Sequence, residues 1–544
     1  MRPRTSLLCL SIGLALLAGG MVLTDEQATI TVNDEVIRSG LSPESFCVVN
    51  WEFSGHLHSL REIWDNCYGE FIDHLRANGL RAFRYPGGGY VAHFFPGVSS
   101  EAWFPDFKAG QDGPHRPDDW IEYEEFLQFL ADGDFKAIVQ LNTHYAFDPK
   151  TSRRVPLRGE DGELSKHALD LATDAARRAV RQAKRMKMLG HVTQWEIGNE
   201  DYFSFTPEQY GEIARRFIEA IRGVDPGASI LVTTQWSFPS AAPESRRLDW
   251  SVGVLQYLDE HVADRTNISF VNHEYAWVME DYEHSAYDEW KRYVGTNPTH
   301  RYEQPWGELP CAPYDLLFGA YDGNGFSGAG LHVTEFRYGW MTNLYNKSLG
   351  SGVANVNLVL HYMKHPRIRG AAAHSLMHGS RVSDEAERPF GAWGFNIIEY
   401  TPTDRIPHNF VSTPMSQGYR LIERFCRGEL LAAESSTWNL NVGASRDAGV
   451  LRLLVVNRTR DSEESAESNV VAAGLELPEG WEVGSALVHV LNSETLADRS
   501  GALQTYDEVN EILVRTREVD APEAGELTFE FPPHSATLVE LALE

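Results

Sequence analysis

Between Phe46 and about residue 425, short apolar runs alternate with longer stretches in which apolar residues recur every three or four positions. No other feature constrains the fold as much, because repeated strand–helix units build a parallel sheet covered by helices. Leu57, Leu60, Trp64, Tyr68, Phe71 and Leu75 mark one face of a first helix, which Gly79 closes. Strands are predicted near residues 46–51, 80–85, 136–142, 192–197, 228–234, 268–275, 330–335 and 369–376. Helices are predicted over 119–131, 166–189, 207–223, 246–263, 351–364 and 415–426, with none well defined after the sixth strand. Eight strands in this order predict an α/β fold, a (β/α)8 TIM barrel over residues 41–426, whose functional groups would sit at the strand C-termini.

The flanks read differently. After Arg427, alternation of period two with Gly, Asn, Asp and Pro turns predicts a C-terminal all-β sandwich domain over 427–544, as in Val450 to Val456 and Leu527 to Phe531. Ala28 to Val32 alternates too, so the segment 21–40 is expected to pair with that sandwich. Arg2 and Arg4, an apolar stretch from Leu7 to Leu17, and Ala18-Gly19-Gly20 read as a cleaved signal peptide over residues 1–20. The stretch is too short to span a bilayer comfortably, so a secreted or periplasmic protein without membrane insertion after cleavage is expected. Cleavage leaves Cys47, Cys67, Cys311 and Cys426, which are either free buried thiols or one or two disulfides. They contain no Cys-x-x-Cys pair for zinc. A formal charge of -29 argues against nucleic acid and anionic membranes as partners.

Two predicted strands end in acids. Trp195-Glu196-Ile197-Gly198-Asn199-Glu200 ends the fourth, and Gly330-Leu331-His332-Val333-Thr334-Glu335 ends the seventh. A pair of carboxyl groups roughly 5–5.5 Å apart is what hydrolysis of a glycosidic bond by double displacement requires. For Glu196 or Glu274 alone, a solvated or ion-paired side chain is the simpler expectation. Other chemistries lack their motifs. His273-Glu274 is not followed by a third zincin ligand, Gly325-Phe326-Ser327-Gly328 runs into Ala329 rather than completing a nucleophile elbow, and no phosphate loop is present.

These segments resemble the clan-A retaining glycoside hydrolases, most closely the family 51 α-L-arabinofuranosidases. Arg84-Tyr85-Pro86-Gly87-Gly88 is similar to the family's strand-two motif, and His273-Glu274-Tyr275 to its strand-six His-x-Tyr. Pro532 to Leu538 with Val455-Val456-Asn457 is similar to its terminal β-sandwich. The resemblance implies a retaining hydrolase with Glu200 as acid/base and Glu335 as nucleophile. It further implies that Asn199 binds the sugar 2-hydroxyl, that Arg84 and Tyr275 hold Glu335 ionised, that His273 lines the site, and that Glu52 binds a sugar hydroxyl. Trp340 or Trp393 would supply a stacking ring. An oligosaccharide or polysaccharide would be the substrate, with no cofactor and no metal. Two departures bear on the sugar: Gly89 stands where the family usually has Asn, and Ala371-Ala372-Ala373-His374-Ser375 lacks a Trp common on the eighth strand. Hydrolysis of the β-glucuronidase or β-xylosidase kind therefore stays open, as does a non-catalytic carbohydrate-binding barrel. Linkage, exo or endo action and oligomeric state are left open as well.

Overall fold

A computed structural model describes residues 27–51, 53–54, 60–99, 121–235, 245–276, 311–338, 348–378, 397–400, 410–437, 439–458, 470–493, 501–502, 509–510, 512–519 and 527–544. Strand β1 (Ala28–Leu41) precedes eight barrel strands: β2 (Val48–Asn50), β3 (Ala82–Tyr85), β4 (Lys136–Leu141), β5 (Val192–Ile197), β6 (Ile230–Thr233), β7 (Ile268–Ala276), β8 (Leu331–Tyr338) and β9 (Ile368–Ala373). Each pairs in parallel with its sequence neighbours, and β9 returns to β2 to close the barrel. A long helix follows each strand: α1 (Leu60–Ala77), α2 (Tyr123–Gly133), α3 (Lys166–Arg185), α4 (Pro207–Arg222), α5 (Ser245–His261), α6 (Cys311–Gly323), α7 (Leu349–Lys364) and α8 (Pro414–Phe425). The helix left undefined in the sequence after the sixth barrel strand is α6, which starts 35 residues beyond the end of β7. No described helix is long and apolar enough to cross a membrane.

Local chemistry sets the helix limits. Ser165, Thr206, Ser348 and Thr413 cap α3, α4, α7 and α8 by accepting a backbone N–H, and Pro207 and Pro414 occupy first-turn positions where no N–H is needed. Gly79 ends α1 with φ +75°, and a Cβ there would lie 2.6 Å from the Tyr419 carbonyl oxygen, so glycine serves both the turn and the approach of α8.

Period-two alternation divides the barrel strands between two surroundings. Val49, Phe83, Val139, Trp195 and Ile197 face the helices in the main core, whereas Val48, Ala82, Ile138, Leu231, Val271 and Ala372 form a separate apolar cluster inside the barrel. Two residues further along their strands, Val48, Ala82, Ile138 and Val271 give way to Asn50, Arg84, Gln140 and His273, all buried. The lumen thus turns from apolar to polar toward the strand C-termini.

Strands β10 (Gly428–Ser435), β11 (Leu440–Asp447), β12 (Val450–Asn457), β13 (Val471–Glu476), β14 (Val483–Leu491), β15 (Arg515–Val519), β16 (Leu527–Phe531) and β17 (Ala536–Leu543) complete the chain. With β1 they form one nine-stranded mixed sheet, ordered β15-β14-β17-β12-β11-β10-β1-β13-β16. Strand β1 is antiparallel to β10 and parallel to β13. The sheet curls over its own core, because Phe529 and Phe531 near one end share a cluster with Val488 near the other. This gives the two-sided packing of a sandwich. Its other face, with Leu454, Val456 and Leu538, joins the barrel core beneath α7 and α8, which is why nearly every residue of α7 is buried. Cys47, Cys67 and Cys426 are buried thiols not joined in a disulfide with one another, and the side chain of Cys311 lies outside the described residues.

Candidate active site

Arg84 organises the polar end of the lumen. Its guanidinium is wholly buried and has N–H donors in five directions. Nε and Nη2 form a fork on Glu196, at 2.8 and 2.6 Å; Nη1 donates to Asn50 Oδ1 at 2.7 Å and to Glu335 Oε1 at 2.5 Å; Nη2 also donates to Asn199 Oδ1 at 2.8 Å. Burial opposes the charge, but the adjacent Glu196 and Glu335 carboxylates outweigh it and raise the guanidinium pKa above the ordinary arginine value. Glu196 is therefore the ion-paired strand residue expected from sequence, and Thr334 Oγ1 approaches it at 3.4 Å. Asn50 is fixed in turn by donating to the Thr334 and Ala373 carbonyls at 2.9 and 3.2 Å.

Gln140 sets the orientation of Asn199. The Gly87 N–H donates to Gln140 Oε1 at 2.9 Å, so the Gln140 amide nitrogen is the atom that reaches Asn199 Oδ1, at 3.3 Å. Arg84 and Gln140 both meet its oxygen, which fixes the side of the Asn199 amide that accepts. Beyond β5 the chain turns sharply: Gly198 has φ +83° and Glu200 φ +52°. A Cβ on Gly198 would lie 1.9 Å from Asp201 Oδ2, and buried Asp201 is held by Thr143 Oγ1 at 2.5 Å. This turn lifts Glu200 off the strand end. A left-handed conformation in a glutamate costs energy and is held only by its surroundings.

His273 lies between the two strand-end acids. Arg84 Nη2 is also 3.4 Å from His273 Nε2, but its two N–H groups already meet Glu196 and Asn199, so the tautomer follows from Nδ1, which faces two carboxyl oxygens and is the ring nitrogen placed to donate. Nδ1 donates to Glu200 Oε1 at 3.0 Å and faces Glu335 Oε2 at 3.5 Å. One carboxylate oxygen from Glu200, one from Glu335 and a nitrogen of His273 all lie within 4.8 Å of one another. The neighbouring Glu274 points away from the lumen, toward the hydroxyls of Tyr314 and Tyr362. Of the two acids, it is Glu335 that also pairs with Arg84.

Arg84, Asn199, Glu200, His273 and Glu335, read from separate segments of the sequence, are thus in one cluster. The backbone of Tyr275 belongs to β7, but its side chain, with Glu52, Trp340 and Trp393, lies outside the described residues. Trp51 packs edge-on against Phe83 and Phe126, with ring centroids 5.2 Å away in each case, as a core residue. Asn50, Gln140 and Tyr202 were not singled out in the sequence. The first two could have been found as polar residues interrupting buried strands, whereas Tyr202, whose hydroxyl donates to Glu200 Oε1 at 2.9 Å, depends on the turn geometry.

Whole-chain comparison places this geometry on a known scaffold. The α-L-arabinofuranosidase of Thermotoga maritima in complex with arabinose matches at a TM-score of 0.61 and 16% identity, over 94% of this chain and 99% of that one. The family 51 α-L-arabinofuranosidase AbfB of Bifidobacterium longum matches at 0.64 and 15%, over 94% and 99%. A family 44 xyloglucanase of Paenibacillus polymyxa with xyloglucan matches at 0.59 and 13%, over 95% and 99%. The shared fold is a (β/α)8 barrel with a distal β domain. Families 51 and 44 both appear at such low identity that the likeness concerns the scaffold, both domains included. No family sequence model and no curated protein sequence matches the chain.

Proposed function

We propose that this protein is a retaining glycoside hydrolase, with Glu335 as nucleophile and Glu200 as acid/base, and that its substrate is an oligosaccharide or polysaccharide. The observation that carries this reading is that an oxygen of Glu200 and an oxygen of Glu335 lie within 4.8 Å of each other, close enough for the roughly 5–5.5 Å carboxyl separation of a double displacement. Unequal surroundings support these roles. Glu335 touches the Arg84 guanidinium, as a group that must react as an anion should, while Glu200 is bonded by the hydroxyl of Tyr202 and by His273.

In the first step a Glu335 oxygen attacks the anomeric carbon, the bond to the leaving oxygen breaks, and Glu200 gives that oxygen its proton. In the second, Glu200 takes a proton from water, the resulting hydroxide attacks the anomeric carbon, and Glu335 departs as carboxylate. Asn199 offers its amide to the sugar 2-hydroxyl, a contact that strengthens as positive charge develops on the ring. An arabinofuranosidase is the favoured specificity, supported by the strand-two and strand-six motifs and by the arabinose bound in the Thermotoga enzyme. Export of the protein, proposed from its leader, would place the enzyme with such polymers.

The test is a pair of variants assayed on a panel of aryl arabinofuranosides, xylosides and glucuronides. Glu335→Ala is expected to lose turnover on the order of 10⁴-fold or more, with partial rescue by azide. Glu200→Ala is expected to keep glycosylation only for activated leaving groups. Wild-type rates from Glu335→Ala would remove the assignment.

A further inference from the structure

The oxygen of Glu200 that His273 reaches is also the oxygen that Tyr202 reaches. Tyr202 OH donates to Oε1 at 2.9 Å, and His273 Nδ1 approaches the same atom at 3.0 Å. Tyr202 stands on the single helical turn Asp201–Phe203, which begins directly after Glu200, and its ring lies 4.5 Å from Phe203 and 6.0 Å from Trp250, centroid to centroid. The phenol is therefore braced from behind while its hydroxyl faces the acid.

We propose that Tyr202 is a positioning residue for the acid/base: together with His273 it occupies Oε1 of Glu200 and so directs the transferable proton to Oε2. The inference rests on the glycosidase reading of the site and adds a residue to it. The physical argument is one of valence. A protonated carboxyl has one hydroxyl oxygen and one carbonyl oxygen, and an oxygen that accepts from two donors is the carbonyl one. The proton of Glu200 then lies on Oε2 before the leaving group arrives, and the acid need not reorganise during bond cleavage. When Glu200 is ionised, between the two steps, the same donors hold it for its return as a base.

The charged and titratable groups around Glu200 come from several elements. His273 on β7 and Glu335 on β8 face it directly. Arg84 on β3 lies behind Glu335 and is shared with Glu196 on β5. Asp201, the next residue, turns to Thr143 and lies 3.7 Å from His144. All of these remain in Tyr202→Phe, which removes one donor and keeps the ring.

The expected outcome has a sign. A donor to a carboxylate favours its ionised form, so removing the hydroxyl raises the pH at which Glu200 ionises. The high-pH limb of kcat/KM, which reports loss of the acid's proton from the free enzyme, should move up in Tyr202→Phe. The loss in rate should be larger for alkyl or sugar leaving groups than for activated aryl ones. A merely structural role would lower rates at every pH and leave the limb in place. An unmoved limb with equal losses on both classes of leaving group would overturn the proposal. The carboxyl titration of Glu200 should also be followed directly, by infrared or ¹³C signals assigned by difference against Glu200→Gln. An upward shift in Tyr202→Phe without turnover of any glycoside would keep the Tyr202–Glu200 link and remove the glycosidase reading; no shift would remove the link.

Discussion

At the residue scale the site depends on one arginine whose five donor directions are all used. Arg84→Ala would leave Glu196 and Glu335 buried without their cation, a change expected to cost about 3–5 kcal/mol in urea unfolding and to abolish turnover. Arg84→Lys keeps the charge but loses the planar fork, so it should preserve much of the stability while lowering kcat. Equal stability of Arg84→Ala and wild type would contradict this. Gly89 presents the opposite case. It has no positive φ, and nothing lies within 4 Å of a Cβ built on it, so glycine is not required there by the backbone. Gly89→Asn should fold with a stability change within about 0.5 kcal/mol. It should also raise kcat/KM for aryl arabinofuranosides relative to xylosides, and an unchanged ratio would mean that another group already makes the contact.

At the scale of elements, glycine marks where two pieces of structure come too close for a side chain. Gly79 and Gly449 both have φ near +75–79°, yet Gly79 abuts the backbone of α8 while Gly449, in the two-residue turn between β11 and β12, has nothing within 4 Å. Alanine at 449 should cost only the left-handed strain, about 1–2 kcal/mol, whereas alanine at 79 should add a packing penalty of about 1–3 kcal/mol. Chemical denaturation of the two variants measures the difference, and equal losses would refute the clash. The helices and strands themselves were legible in the sequence. Strand β5 occupies residues 192–197 as expected, and α3 starts at the expected residue 166 behind its Ser165 cap. Periodicity and capping act over a few residues and need no tertiary context. The α6 helix was missed because its apolar residues are not confined to one face: Tyr314, Leu317, Phe318 and Tyr321 are buried, but Leu316 between them is exposed.

For the whole molecule, the junction between the barrel helices and the distal sheet contains a charge cluster with a definite pH signature. The His489 hydrogen bond, against burial and with help from Arg424 and Arg452, holds the Glu540 carboxyl down at about 2, below its ordinary 4.5. A carboxyl lowered in the folded state stabilises above its unfolded value and loses that contribution as pH falls through the folded one. Glu540→Gln should therefore be less stable than wild type at pH 7, and the gap should narrow as pH falls from about 4.5 toward 2. Thermal unfolding of both proteins across this range checks the trend, and a gap that does not vary with pH would rule it out. Subtracting the variant from wild type also removes the general effect of acidification on so acidic a chain.

By itself the sequence determined the alternation of strands and helices, the barrel that eight such units must close, and the two strand-end acids, because each is a local pattern of apolarity or polarity. Which donors meet those acids was decided only by the tertiary structure. Arg84 is separated along the chain by 112 residues from Glu196 and by 251 from Glu335, and only closure of the barrel brings all three to one level of the lumen. Tyr202 is just two residues from Glu200, yet its hydroxyl reaches the carboxyl only because Gly198 and Glu200 adopt left-handed backbone angles that the buried Asp201 holds in place.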